Sequence, residues 1–365
     1  GGIRRSKFEP VTGPQKSQAT GGRPASSRSR ARLWTIGAAA LLLAAAAFAL
    51  PLLFGVRFDP VTRNTLAFLS DTQAPTFFET LRLRRHHNEK ATRMIFDRIL
   101  AQKGLAAVFW LGDLTSAASN NSNWAAVDGF LDRLKRAGIP AFAALGNHEY
   151  MHSTRAGLAN FHKRFPELTR SWYSVRVGPA AVIILNSNLK ELSPGERAEQ
   201  MDYYRLTLSE FDRDPAVRGV LVGIHHPPFT NSRIVSPSAR VREDIVPPFF
   251  ESPKGLLFLS GHAHAAEHFE AGGKDFLVLG GGGGLLQPLL LGAKRKFTDI
   301  FSLKGETRFF HFLTVRLDPG GLLVTYEMLR RDFSGFDPVG RFRVPWAPSA
   351  GRTKAALKSA ACISR

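Results

Sequence analysis

Cysteine is almost missing from this chain: of 365 residues only Cys362 carries a thiol. One thiol makes no internal disulfide and no thiolate metal cluster, and nothing around it marks a cysteine nucleophile. The G-x-S-x-G element of a serine hydrolase is absent too, as are internal repeats. Negative charge is scarce, with 30 acidic against 49 basic residues and a formal net charge of +19. That excess is badly distributed for a nucleic-acid binder. Residues 1–32 hold eight Lys and Arg against one acid and residues 340–365 hold six against none, so the two ends account for 13 of the 19 charges. No specific nucleic-acid partner is expected of the part between them.

Charge of either sign vanishes from Leu33 to Val56, a run of 24 residues. Such a run is long enough to cross a bilayer as a helix and shows no polar face, which predicts a signal-anchor helix over 33–56. The eight basic residues before it hold the N-terminus in the cytoplasm, placing the catalytic part on the outer side of the membrane as a single-pass protein. The alternative is a secreted form cleaved at the small-x-small site Ala47-Phe48-Ala49. The expected organisation is a disordered basic segment at 1–32, the helix at 33–56, a globular domain at 57–345 and a disordered basic tail at 346–365.

Within that domain five short apolar runs each break into polar residues. Thr65–Leu69 leads to Ser70-Asp71-Thr72-Gln73, and Ala106–Leu111 leads to Gly112-Asp113. Ala141–Leu145 leads to Gly146-Asn147-His148-Glu149, Val220–Ile224 to His225-His226-Pro227-Pro228, and Leu256–Leu259 to Ser260-Gly261-His262-Ala263-His264. Each reads as a strand ending in a loop. Helical patterns fall between them, at 77–102, 120–137 and 196–212, and this alternation predicts βαβ units in a partly parallel sheet of an α/β fold. Strands parallel in one sheet would deliver all five loops to the same edge.

The loops offer two Asp, one Gln, one Asn and three His. An oxygen and imidazole set suits Mn, Fe, Zn or Mg. Seven donors exceed one tetrahedral ion and fit two ions sharing a carboxylate, the arrangement of a two-metal hydrolytic centre.

The ordered set Asp71-x-Gln73, Gly112-Asp113, Gly146-Asn147-His148-Glu149, His225-x-Pro227 and Gly261-His262-x-His264 resembles the calcineurin-like metallophosphoesterase superfamily. The resemblance implies a four-layer α/β/β/α sandwich of mixed sheets and two divalent or trivalent metal ions. It implies one metal held by Asp71, Gln73, Asp113 and His264, and the other by Asp113 as bridge with Asn147, His225 and His262. His148 would contact the phosphate or protonate the leaving oxygen, Glu149 would orient His148, and a metal-bridging hydroxide would attack a phosphomonoester or phosphodiester. A lipid-linked phosphate fits the expected membrane tether. Two positions depart from the family pattern: Gln73 stands where the family usually has histidine, and Ser116 where it usually has Asp or Asn. A non-catalytic metal-binding or scaffold protein on the same fold is the alternative function.

Other features read more plainly. The basic cluster of Arg82, Arg84, Arg85, His86 and His87 reads as a solvated helix face, with attraction of an anionic substrate or lipid headgroups as the sharper reading. Five glycines at 280–284 lack the context of a phosphate loop and are expected to pack closely against the metal loops. His226 is expected beside the site, and Asn186-Ser187-Asn188 as a turn near it. Phe309–Leu317 and Leu322–Leu329 read as a terminal hairpin.

Overall fold

The computed structural model describes residues 53–76, 80–81 and 83–346. Thirteen strands among them form two mixed sheets. The first runs in the order β1 (Leu53–Val56), β5 (Tyr173–Val177), β6 (Ala180–Ile184), β7 (Gly219–Gly223), β8 (Gly255–Ser260), β10 (Lys274–Leu279) and β9 (Ala266–Ala271). The second runs β13 (Phe336–Pro345), β12 (Gly321–Leu329), β11 (His311–Asp318), β2 (Thr65–Leu69), β3 (Leu105–Leu111) and β4 (Ala141–Ala144). Five helices complete the set: α1 (Asn88–Leu100), α2 (Ala125–Arg136), α3 (Thr154–Arg164), α4 (Pro194–Arg213) and α5 (Val246–Glu251).

The five strands read from the sequence all form, yet they divide between the sheets. β2, β3 and β4 run parallel in one, and β7 and β8 run parallel in the other. The condition that all five lie parallel in one sheet is not met; the two mixed sheets of the expected sandwich share the five loops between them.

Alternation along β3 shows how the layers are built. Phe109 stacks on its register partners Phe68 and Phe142 at 4.9 and 5.3 Å between centroids. Phe142 in turn meets Phe54 of β1 and Tyr173 of β5, across the gap between the sheets. The next residue, Trp110, points the other way and packs edge-on against Phe96 of α1 and Phe130 of α2, as a period of two requires. On the first sheet Tyr173, Val175, Val182 and Leu259 join this central core. Their neighbours Ile183, Val222 and Phe258 face outward against Tyr204 and Leu208 of α4 and Phe249 of α5. The order helix, sheet, sheet, helix is therefore the layered α/β/β/α arrangement expected.

Several boundaries are corrected. Leu53–Val56, assigned to the membrane helix, is strand β1 and pairs in parallel with β5; the rest of that span, with the basic segment and the tail, lies outside the described residues. Among the described residues no helix is long and apolar enough to cross a membrane. The globular part reaches back to Leu53 and forward to buried Trp346, whose indole donates to the carbonyl of Asp318. Within the helix expected at 77–102, α1 begins at Asn88, where His87 before it adopts a left-handed conformation (φ 55°) that separates α1 from the residues ahead; residues 77–79 and Arg82 of the basic cluster lie outside the described residues. The hairpin β9–β10 and the edge strand β13 were not anticipated.

Candidate metal centre

The carboxyl ends of β2, β3, β4, β7 and β8 place their loops together. Asp71 follows β2 with φ 59°, Asp113 follows β3 with φ 52°, and His262 follows β8 with φ 65°. Three of the seven candidate donors thus sit in a backbone region that side chains rarely enter, a strain typical of functional sites. Close approach makes small residues obligatory between them. A side chain at Gly112 (φ 91°) would run into Gly146 and the ring of His225.

All seven donors converge. Oxygens of Asp71 and Asp113 and a ring nitrogen of His225 lie within 4.8 Å of one another. His225 Nε2 stands 3.2 Å from Asp113 Oδ2 and 3.1 Å from Asn147 Oδ1. His264 Nε2 stands 3.4 Å from Asp71 Oδ1 and 3.2 Å from the Gln73 amide. The ring of His262 lies 5.0 Å from that of His225, and its backbone N–H donates to Asp71 Oδ2 at 2.8 Å.

The donor set fits cations on three counts. First, His225 gives its Nδ1–H to the Leu111 carbonyl at 2.8 Å and His264 gives its own to Leu285 at 2.7 Å. Each Nε2 lone pair is thereby turned on carboxylate or amide groups, the outer-sphere pattern of a metal-bound histidine. Second, Gln73 Oε1 is buried with no partner among the protein groups, a cost that a cation removes. Third, the charges are poised to be shared. Burial alone would raise the Asp113 carboxyl, but the imidazoles of His225, His148 and His262 override it and hold it well below the usual range. Burial alone would lower His225, and Asp113 instead pushes it up to about 9. Burial, with His225 beside them, pushes His226 down to about 3 and His262 well below the usual histidine value.

His148 is oriented by Ser116. Its Nδ1 lies 2.6 Å from the Ser116 carbonyl, which only accepts, so Nδ1 carries hydrogen and Nε2 faces Asp113 Oδ2 at 3.8 Å. The departure at Ser116 therefore costs nothing here, because the main chain does the work. Glu149 does not orient His148. Its carboxylate accepts the backbone amides of Asp113 at 2.9 Å, Leu114 at 3.0 Å and Gly146 at 2.7 Å, tying the β3 loop to the β4 loop. It is a buried brace, not a group that meets substrate. Burial beside Asp113 pushes it up to about 7, against the three amides that hold its charged form.

The glycine run packs where expected. Gly282 and Gly284 donate to the carbonyls of Ser70 and Asp71, and Asn88 at the start of α1 donates to Gly283 and Gly284. One participant was underestimated. The His226 ring sits 4.5 Å from His262, and a nitrogen of each of His225, His226 and His262 falls in one cluster of candidate ligands. Its Nδ1 meets Ser187 Oγ at 3.0 Å, so the Asn186–Asn188 turn touches the site. The adjacent His225-His226 pair was the available signal.

The sequence model of the calcineurin-like phosphoesterases matches residues 65–266, from β2 to the first residue of β9. The chain belongs to that family. This calcineurin-like phosphoesterase is similar in fold to the structure titled "GAP50 the anchor in the inner membrane complex of Plasmodium", with a TM-score of 0.57 and 14% identity over 83% of this chain and 95% of the other. It is similar also to a dimetal phosphatase from Danio rerio, with a TM-score of 0.52 and 15% identity over 79% of this chain and all of the other. Among curated proteins none matches. At these identities the likeness concerns fold alone.

Proposed function

We propose that this calcineurin-like phosphoesterase is a metal-dependent phosphoric ester hydrolase held at a membrane by its N-terminal apolar run. The observation that carries the reading is the pairing of His225 and His264 with backbone carbonyls, which aims both Nε2 atoms at Asp113 and Asp71. Asp71, Gln73 and His264 would hold one divalent or trivalent cation, Asn147, His225 and His262 a second, with Asp113 shared. When bound, such ions supply Lewis acidity that activates water and offsets charge on the leaving oxygen.

The chain's own groups supply positioning and the proton. Glu149 keeps the Asp113 and Asn147 loops in register. His148, fixed through Nδ1–H on the Ser116 carbonyl, carries a second proton on Nε2 and delivers it to the departing alkoxide or phenoxide. The apolar run from Leu33, with eight basic residues before it, supports an N-terminus in the cytoplasm and a domain on the outer side.

The test is hydrolysis of an aryl phosphate by the full chain, with bound metal measured by elemental analysis. Asp113→Asn is expected to lose metal and turnover together. His148→Ala is expected to keep its metal and lose about 10²- to 10⁴-fold in turnover. Wild-type turnover in both variants rejects the hydrolase and leaves a scaffold on the same fold.

A further inference from the structure

The direction of β1 fixes where the N-terminal segment meets the site. β1 is parallel to β5, β5 is antiparallel to β6, and β6, β7 and β8 are parallel to one another. Following the register, Leu53 at the start of β1 lies opposite Ser174, Ser174 opposite Ile183, Ile184 opposite Gly223, and Gly223 opposite Leu259. Those last strands release the Asn186 turn, His225 and His262. The polypeptide therefore enters the domain at the edge from which the metal loops emerge, three strand spacings or about 15 Å from β7.

Ahead of Leu53 come twenty residues without a charge, Leu33 to Leu52. An uncharged run of that length is what the sequence offers for crossing the roughly 30 Å hydrocarbon core of a bilayer.

The same edge is shaped for an anionic apolar boundary. The segments 227–241 and 285–298, which follow the His225 loop and the glycine run, contain five basic residues and no acidic one. They are tied together by the Ser232–Leu289 bridge. Ile234 is 48% exposed and Leu291 40% exposed at their tips. Lys294, Arg295 and Lys296 are exposed beside Leu291, while Arg233 has Glu306 3.8 Å away. Leaving β2 at this edge, the segment before α1 adds Leu81, 68% exposed, with Arg84 and with Arg85, which is paired to Glu89. Apolar tips among cations are what a headgroup layer accepts.

We infer that the carboxyl edge of the sheets rests on an anionic membrane surface, with the β1 entry at one end and the basic loops at the other, so that the ester reaching the metal loops is borne by a lipid headgroup. The inference rests on the hydrolase and anchor proposed above.

The test uses the full chain in vesicles of phosphatidylcholine and phosphatidic acid, which together offer a phosphodiester and a phosphomonoester. A fluorophore is placed by Ile234→Cys, Leu291→Cys or Val61→Cys, each with Cys362→Ser. Val61 is 82% exposed in the turn closed by Asp59 and Arg63, at the opposite edge. Brominated lipid is expected to quench at positions 234 and 291 and not at 61. The triple variant Lys294→Glu, Arg295→Glu, Lys296→Glu is expected to lose about tenfold or more on vesicle lipid while keeping its aryl phosphate turnover. Quenching at 61 alone, at all three positions or at none overturns the orientation. Equal loss on both substrates, or none on lipid, overturns the lipid substrate. The expected quenching in a chain that hydrolyses neither ester upholds the orientation and sinks the hydrolase.

Discussion

Glu149 accepts the backbone amide of Asp113 at 2.9 Å, so the acid that follows His148 in sequence serves the Asp113 loop in space. The same carboxylate takes Gly146 and Leu114. The His148 ring has its own partner elsewhere, in the Ser116 carbonyl.

Glu149→Gln tests that division of labour. Its amide NH₂ turns a donor toward at least one backbone N–H, leaving it unsatisfied at a cost of about 1–3 kcal/mol. We expect lower stability to urea and weaker metal binding by calorimetry, with the acid limb of the pH–rate profile unmoved. Displacement of that limb would return Glu149 to the role of orienting His148.

Gln73 predicts a gain. Its Oε1 is buried and lacks a protein partner, while its amide nitrogen touches His264 Nε2 at 3.2 Å. Gln73→His replaces a weak neutral oxygen by an imidazole at the position where the family usually carries one. The expected result is about tenfold tighter retention of the ion next to Asp71, read by metal exchange against a chelator. Weaker retention would mean that Gln73 braces His264 and is not a ligand.

What was legible in the sequence follows from what is local. A strand ending in Asp, Asn or His advertises itself by an apolar run breaking into polar residues, and all five such loops converge. Partners far along the chain leave no such mark. Whether β7 and β8 join the sheet of β2 or another depends on pairings that periodicity does not encode. β1 was concealed inside a longer apolar run with the same composition. β9 reads Ala-Glu-His-Phe-Glu-Ala, too polar for a strand until Glu267 meets Thr230 and His268 meets Asp275. The backbone amides that occupy Glu149 have no residue type at all.

The stacked ladder between the sheets gives a stability prediction. Phe109 is fully buried between Phe68 and Phe142. Phe109→Ala leaves a cavity at the centre of the sandwich and is expected to cost about 3–5 kcal/mol in urea unfolding. A loss near that of Ile→Val, about 1 kcal/mol, would show that the sheets close over the gap.

Glu267 supplies a pH dependence away from the metal ligands' own titration. Burial pushes its carboxyl up to about 7 although Thr230 and Asn231 donate to it at 2.5 and 2.8 Å. In the unfolded chain it titrates near the ordinary 4.5. The folded state thus binds the proton more tightly. Its contribution to stability is complete below the unfolded value and drains away as pH rises from there through the folded value, by about 3 kcal/mol at most. Glu267→Gln cannot ionise, so the variant lacks this one contribution to the decline, while Glu149 and the histidines titrate in both proteins alike. Unfolding in urea at about pH 5 and about pH 8 should show the gap between the two proteins closing, or reversing, at the higher pH. A gap of the same size at both would mean that Glu267 is already ionised in the folded protein, held so by the hydroxyl of Thr230 and the amide of Asn231.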